Sequence, residues 1–181
     1  MLDEIEKINW TELKQAHGNS GHVPDAIRGL ISGDRKEQEA SYWKLDNHIV
    51  LQGDLYQAAF YVIPFLLEIL GSKVKSGRSY AYDLLFEIAN GFAPEETICV
   101  YDGVSLPLTE ACKNAVVGGV DLYLGEVSDI SSVCRENALD LLISLEEQID
   151  HIVISLNTIK DKETDSEFRC KLEEAIAEID G

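Results

Sequence analysis

The stretch from Asp34 to Gly71 constrains the fold more than any other part of the chain. Asp34 is a typical helix N-cap, and the residues after it repeat an apolar face at the spacing of a helix. Gly53 breaks this pattern, because glycine readily adopts the positive φ that ends a helix. From Leu55 to Leu70 the chain is apolar almost all round, which predicts a second helix covered on most sides. The stretch therefore predicts two helices joined by a tight corner.

Helical periodicity continues along most of the chain, whereas the alternation typical of strands is nearly absent. The exception is the segment 92–107, which holds Pro94, Gly103 and Pro107 and has no helical period. It contains one β-like run, 97–101, and is predicted to be a long loop, a kind of segment that is often functional or mobile. We predict further helices over 11–17, 25–32, 79–90, 108–126, 131–148, 149–160 and 165–179.

A faint internal repeat indicates how these helices pack. Asp34, Ser131 and Asp165 are candidate N-caps, and each is followed at offsets 4, 7, 11 and 14 by mostly apolar residues. The last two copies lie 34 residues apart, which is the period of a helix pair. In such repeats each helical hairpin buries its apolar face only against its neighbours. We predict a single all-α domain over residues 1–181, a short α-solenoid of stacked helical hairpins with one long loop and at most a token strand.

The charge of the chain limits its partners. With 33 acidic against 15 basic residues, the formal net charge is −18 at pH 7. Residues 129–181 carry 14 of the acids and only 5 of the bases. Nucleic acids and anionic membranes are bound through Lys and Arg contacts, so we predict neither as a partner. The acidity favours a basic protein partner, or else serves solubility alone.

No pattern of residues predicts an enzyme, a metal site or a cofactor. The cysteines form no C-x-x-C pair, so we expect reduced, mostly buried thiols: Cys99, Cys112, Cys134 and Cys170. The four histidines are His17, His22, His48 and His151, and no two of them have the H-x-H or H-x-x-x-H spacing that is typical of metal ligands. A Cys/His nucleophile pair stays open at this point, because such partners meet only in the folded chain. We predict no cofactor and no catalytic residues.

The sequence predicts neither a signal peptide nor a membrane span. Residues 1–4 are acidic where a signal peptide begins with basic residues, so we expect no signal peptide and a cytoplasmic location. The longest apolar run, 58–67, has Pro64 inside it and is about half as long as a membrane span.

Two blocks of the sequence carry a more specific pattern. The first holds W-T-E-L at 10–13 and the dipeptide Val23-Pro24. The second and more distinctive block covers 47–67, contains Gln52-Gly53 and ends in P-F-L-L. Together they resemble the opening repeats of a family of small bacterial HEAT-repeat proteins. Gln38 departs from that family pattern, because such repeats usually have Arg at this place.

The resemblance implies a HEAT-like α-solenoid that serves as a binding scaffold. Several small acidic bacterial proteins of this architecture look like immunity partners of secreted toxins. The first hypothesis is therefore an immunity protein that neutralises a basic toxin domain, such as a nuclease, by covering its active site. The alternative is a HEAT-repeat scaffold or regulator of a cytoplasmic enzyme.

Two groups of residues are candidates for partner binding. Tyr80, Asp83 and Glu87 are spaced to share one face of the helix predicted over 79–90. An aromatic anchor beside carboxylates suits a basic protein surface, although a solvent-facing stripe would show the same spacing. Tyr56 is added to this group on the assumption that the helices stack in register.

The second group lies in the predicted loop. It contains Glu95, Glu96, Tyr101 and Asp102. The three acids form either an acid/base or metal cluster, or a solvated acidic loop, and adjacent charges on loops favour the latter. We expect the acids to attract a basic partner and Tyr101 to anchor it.

Overall fold

The computed structural model describes residues 2–180, so Met1 and Gly181, the two ends of the predicted domain, lie outside the described part. About 65% of the chain is helical, and the described residues form nine α-helices and two short two-stranded sheets. The prediction of a mostly helical fold is confirmed. Contacts divide the chain into two compact units, unit 1 (Met1–Val116) and unit 2 (Val117–Gly181). A single domain and a continuous solenoid stay predictions.

The helices in chain order are α1 (Val23–Leu30), α2 (Arg35–Ile49), α3 (Gln57–Gly71), α4 (Arg78–Asn90), α5 (Leu108–Val117), α6 (Val120–Ser128), α7 (Arg135–Ile143), α8 (Ile149–Lys162) and α9 (Ser166–Asp180). The strands are β1 (Val50–Leu51), β2 (Asp54–Leu55), β3 (Ile98–Tyr101) and β4 (Val104–Pro107). None of the described helices combines the length and the apolar character that are needed to cross a bilayer.

Unit 1 contains two helical hairpins, α1–α2 and α3–α4. Helix α1 packs against α3, and α2 packs against α4, so that first helices meet first helices and second helices meet second helices. Helix α3 contributes more buried residues to the core than any other described helix of unit 1, as its apolar sequence predicts; they are Ala58, Ala59, Val62, Ile63, Phe65, Leu66, Ile69 and Leu70. Each hairpin thus buries its apolar face against the other, which is the packing of repeat proteins.

The corner between α2 and α3 is a minimal β-hairpin. Strands β1 and β2 pair antiparallel around Gln52 and Gly53, which both have positive φ. Two positive φ values define a type I′ turn, the turn whose twist matches that of the flanking strands. The predicted tight corner is therefore confirmed, with four residues in strands that the sequence did not indicate.

A second hairpin replaces much of the predicted loop 92–107. Strand β3 contains most of the expected β-like run, and it pairs antiparallel with β4, which was not expected. Asp102 and Gly103 have φ values of 48° and 77°, so they also form a type I′ turn. The prediction of an unpaired loop is corrected here, because Asp-Gly between two apolar runs favours a hairpin.

The helix predicted over 11–17 is wrong. Only a short 3₁₀ turn, Trp10–Glu12, forms in this region. Beyond it the backbone pairs with other parts of unit 1: Ala16 N–H donates to the carbonyl of His48 at 2.8 Å, and the carbonyl of Lys14 accepts from Ala58 N–H at 3.0 Å. Tertiary pairing has therefore replaced the local helical bonds.

Unit 2 repeats the packing of unit 1 with helices α6 to α9. Helix α6 packs against α8, and α7 packs against α9. The helix predicted over 131–148 is shorter, because it begins at Arg135 and ends at Ile143. Ser131 does not cap it: the Ser131 N–H and hydroxyl both donate to the Asp129 carboxylate, at 2.9 and 2.6 Å. The other two candidate caps are confirmed, since Asp34 and Asp165 accept backbone N–H groups of α2 and α9.

Three helical hairpins are closed by the same polar contact. A long side chain near the start of the second helix donates to a carbonyl at the end of the first. Arg78 Nη1 reaches the last turn of α3 at 2.8 Å, and Arg135 Nε reaches the last turn of α6 at 2.8 Å. In α1–α2 the contact is made by Gln38, whose Nε2 donates to Ser32 at 2.6 Å. These hairpin caps satisfy carbonyls that a helix end leaves without partners.

Candidate partner-binding surface

An aromatic cluster lies where α2 packs against α4. The ring centroids of Tyr42 and Tyr80 are 5.2 Å apart with an angle of 30° between the planes. Trp43 meets Tyr42 at 4.9 Å in an edge-to-face arrangement, and 51% of Trp43 is exposed. Aromatic rings at these distances stabilise one another and hold their side chains in place. The cluster is therefore a fixed, partly exposed apolar surface of unit 1.

Three carboxylates surround this aromatic cluster: Asp46, Asp83 and Glu87. The Tyr42 hydroxyl lies 3.5 Å from Asp46 Oδ1. Burial first, and then the charges of the three acids, raise the pKa of Tyr42 well above its ordinary value. The pKa of Glu87 is also raised, by burial and by repulsion from Asp46 and Asp83. The group is therefore a partly desolvated concentration of negative charge, which an incoming cation would stabilise.

The predicted group of Tyr80, Asp83 and Glu87 meets at Tyr42: the ring of Tyr80 contacts that of Tyr42, and the charges of Asp83 and Glu87 raise the pKa of Tyr42. Three residues of this surface were not predicted as partner-binding residues, namely Tyr42, Trp43 and Asp46, which α2 brings to the same place. The available signal was the spacing of Tyr42 and Asp46 on α2, but it points to a shared site only once α2 is known to pack on α4. We call these six residues the acidic-aromatic surface: Tyr42, Trp43, Asp46, Tyr80, Asp83 and Glu87.

The other predicted residues lie elsewhere in unit 1. Tyr101 is on the inward face of β3, with its ring centroid 6.5 Å from that of Phe60. Asp102 is exposed at the tip of the hairpin. Tyr56 is the N-cap residue of α3, and its N–H donates to the carbonyl of Ile49 at 3.1 Å. Its backbone therefore supports the corner between α2 and α3.

The acids before β3 are exposed to solvent. Glu95 Oε2 lies 3.1 Å from Lys14 Nζ, in an exposed ion pair, and Glu96 is exposed. Within residues 2–180, no group of three or more His, Cys, Asp and Glu side chains has a geometry that could hold a metal ion. This geometry favours the interpretation of Glu95, Glu96 and Asp102 as solvated charges.

Known proteins do not extend this description. No family model, no curated protein and no solved structure matches this chain. The resemblance to small HEAT-repeat proteins therefore rests on the blocks 10–34 and 47–67 and stays a prediction.

Three of the four histidines meet in unit 1, which their spacing along the chain did not predict. The ring of His48 lies 4.7 Å from that of His22 and 6.4 Å from that of His17. Burial lowers the pKa of His48, and the positive charges of His22 and His17 act in the same direction, while the carbonyl of Lys44 opposes them. His48 therefore resists protonation in the folded state.

This histidine cluster predicts acid sensitivity. The folded chain binds a proton at His48 less readily than the unfolded chain does. The contribution of neutral His48 to the free energy of unfolding is therefore fully present above the unfolded pKa, about 6.5, and it is lost as the pH falls below that value. We expect His48→Gln to lose less stability between pH 7 and pH 5 than the natural protein, as measured by urea unfolding. The difference between the two proteins isolates His48 from Asp46 and Glu87, whose raised pKa values act in the opposite direction. Equal pH profiles would contradict this prediction.

The predicted burial of most of the cysteines is confirmed. All four are free thiols, and Cys99, Cys112 and Cys134 are buried while Cys170 is exposed. Burial raises the pKa of the Cys99 and Cys112 thiols, so these groups are held in the protonated form that is a poor nucleophile.

Unit 2 has an exposed apolar patch of its own. Ile130 and Val133, in the segment between α6 and α7, are 75% and 95% exposed. They border a shallow depression whose rim includes Glu136 and Glu167. The patch was not predicted, because Val133 fell within the helix predicted over 131–148, whereas α7 begins at Arg135.

Proposed function

We propose that this chain is a binding protein for a basic protein partner, and that it acts as an immunity protein that covers the active site of a toxin domain. The observation that carries the proposal is the acidic-aromatic surface. It combines aromatic rings in mutual contact, which suit the centre of an interface, with three carboxylates of which Asp46 and Asp83 repel Glu87 and raise its pKa. A Lys or Arg of the partner would relieve that repulsion.

The charge of the whole chain supports the same partner. A formal net charge of −18 creates a long-range field that attracts a basic domain and speeds its encounter with the chain. The stacking of helical hairpins within each unit also supports the proposal, because repeat proteins present extended surfaces to their partners. A nuclease domain is a suitable partner, since a surface that binds nucleic acid is basic.

The alternative is a scaffold or regulator of a cytoplasmic enzyme. In this alternative the helical hairpins also form the binding surface, but the acidic residues serve solubility and take no part in recognition. The two proposals differ in one property, the dependence of association on electrostatic attraction.

The first test is the effect of salt on binding. The partner is isolated from a native extract by affinity capture, and its association is measured by surface plasmon resonance. At about 0.5 M salt the Debye length is only a few ångströms, so we expect the association rate to fall at least tenfold from its value at low salt. The dissociation rate should change little. An association rate that is indifferent to salt would reject the toxin partner and leave the scaffold.

A matched pair of variants locates the binding surface. The variant Asp46→Asn/Asp83→Asn/Glu87→Gln removes three charges from the acidic-aromatic surface and relieves the repulsion at Glu87, and its circular dichroism spectrum is compared with that of the natural protein to check the fold. The control Glu146→Gln/Asp161→Asn/Glu174→Gln removes three charges from exposed positions of unit 2. We expect the first variant to weaken binding at least tenfold and the control to weaken it only slightly. Equal effects would show that net charge, rather than this surface, attracts the partner.

A further inference from the structure

The β3–β4 hairpin leaves one strand edge open. Tyr101 and Val104 flank the two-residue turn and face each other across the ladder. Antiparallel pairs alternate between hydrogen-bonded and non-hydrogen-bonded, and the pair that closes a two-residue turn is bonded. Ile98 and Val100 are therefore in non-bonded pairs, and their N–H and C=O groups point away from β4. Among the described residues, β3 pairs with β4 alone.

The opposite edge of the hairpin is a poorer template. Pro107, opposite Ile98 in the ladder, has no N–H to donate. Within β4, this leaves the N–H of Ser105 as the backbone donor that points away from β3. Proline is one of the devices by which proteins prevent unwanted pairing at a strand edge, so β4 is protected and β3 is not.

The open edge carries an exposed apolar face. Ile98 and Val100 lie on the same face of β3 and are 52% and 61% exposed. The opposite face is anchored, because Cys99 is buried. The inner face of the hairpin therefore packs on the rest of unit 1, while its outer face and one edge remain accessible.

Carboxylates stand at both ends of this edge. Glu95 and Glu96 precede β3, and Asp102 follows it in the turn, and all three are exposed. Natural proteins often protect an open edge with lysine. The present arrangement repels acidic strands and attracts a strand that has basic residues at its ends.

We propose that the open edge of β3 binds an extended segment of the protein partner as a third strand. The segment has alternating apolar residues, which contact Ile98 and Val100, and Lys or Arg at each end, which meet the carboxylates of Glu96 and Asp102. Strand addition of this kind takes its affinity from main-chain hydrogen bonds and its specificity from alternate side chains. The inference rests on the proposed function, since it names how the basic partner is recognised.

A peptide titration tests the chemistry of the edge. The probe is a synthetic seven-residue peptide that alternates valine and threonine and has lysine at each end. We expect it to shift the amide resonances of Ile98 and Val100 in solution NMR and to leave that of Ser105 in place. A matched peptide with glutamate at each end should bind at least tenfold more weakly. Absence of shifts at Ile98 and Val100, or equal binding of the two peptides, would overturn the proposal.

Two proline variants test the same edge in the full-length protein. Val100→Pro removes an outward N–H from β3, and the matched control Ser105→Pro removes an outward N–H from β4. Neither N–H takes part in the ladder between the two strands, so the hairpin should persist in both variants. We expect Val100→Pro to weaken binding of the lysine peptide and of the captured partner at least tenfold, and Ser105→Pro to leave both unchanged. Protection of the Ile98 and Val100 amides from hydrogen exchange in the complex of the unaltered protein provides a readout that does not depend on a variant.

The outcomes separate the two proposals. If Val100→Pro binds the partner normally while neutralisation of the acidic-aromatic surface weakens binding, the strand proposal is overturned and the proposed function stands. If the salt test rejects a basic partner, the proposed function falls regardless of the edge. Dimerisation of the free protein that Val100→Pro abolishes would assign the edge to a second copy of the chain, and would also overturn the strand proposal.

Discussion

Replacing Glu163 by Leu is expected to lower the free energy of unfolding by about 3–5 kcal/mol, because it leaves a buried arginine without its counter-charge. Glu163 accepts a hydrogen bond from Arg135, and the two side chains are only 2% and 10% exposed. Arg135 also lies over the ring of Phe168 at 3.6 Å and donates to the carbonyl of Val127. The guanidinium is therefore held by several contacts and would be left mostly buried without its counter-charge.

The same pair predicts a pH dependence. The hydrogen bond from Arg135 first, and then backbone N–H groups of Asp165 and Thr164, lower the pKa of Glu163. A depressed folded pKa stabilises the protein above the unfolded pKa, about 4.3, and that stability is lost as the pH falls through the folded value. Glu163→Gln should therefore be less sensitive to acid than the natural protein.

The measurement is equilibrium unfolding in urea, with two controls. The double variant Arg135→Met/Glu163→Leu should recover much of the lost stability, because replacing both partners by apolar side chains leaves no charge buried. Glu136→Gln removes one partner of the exposed ion pair with Lys171, at 2.6 Å, and should have a much smaller effect. A small effect of Glu163→Leu would show that Arg135 finds another route to water.

Replacing Gly77 by Ala, in unit 1, is expected to lower the free energy of unfolding by about 3 kcal/mol or more. Gly77 precedes α4 and has a φ of 72°, which is unfavourable for alanine. A Cβ at this position would lie 1.9 Å from the carbonyl oxygen of Leu30, and this neighbour is backbone that has little freedom to move. The strain of the left-handed conformation and the overpacking therefore add together.

Gly103→Ala is the matched control. Gly103 has a φ of 77°, but a Cβ there would meet no atom within 4 Å. Alanine at position 103 would have the strain of the left-handed conformation but no steric clash, so we expect it to lower the free energy of unfolding by about 1 kcal/mol. Thermal unfolding followed by circular dichroism compares the two variants. Equal losses would mean that the chain near Leu30 shifts to admit the alanine.

The helices of this chain were largely predictable because their signal is local. The apolar sequence of α3 predicted its burial, and Asp34 and Asp165 marked the starts of α2 and α9. Periodicity and capping act within one or two turns, so a single sequence contains them. Segment 129–134 shows the limit: its serines bond to Asp129 and Glu126 instead of capping α7, and the sequence does not decide between these partners.

The candidate surfaces depended on contacts between distant residues. Tyr80, Asp83 and Glu87 could be predicted as one group, because they share a helix face. Tyr42 and Asp46 could not be added before the packing of α2 on α4 was known, since 38 residues separate the two tyrosines. The histidine cluster was missed for the same reason. The β3–β4 hairpin is different, because Asp102 and Gly103 were a local signal that was given too little weight beside the two prolines.

The hairpin caps have a consequence for the order in which the chain folds. Each cap joins groups close together in the chain: six residues for Gln38 and eight for Arg78 and Arg135. Closing so short a loop costs little conformational entropy, and chains rich in local contacts fold quickly. Each capped helix pair can therefore begin to form as soon as it leaves the ribosome, and it is stabilised when the next pair covers its apolar face. A nascent chain of this kind buries apolar surface step by step. It therefore exposes less apolar surface to aggregation than a β-sheet protein whose strands pair only after most of the chain has been made.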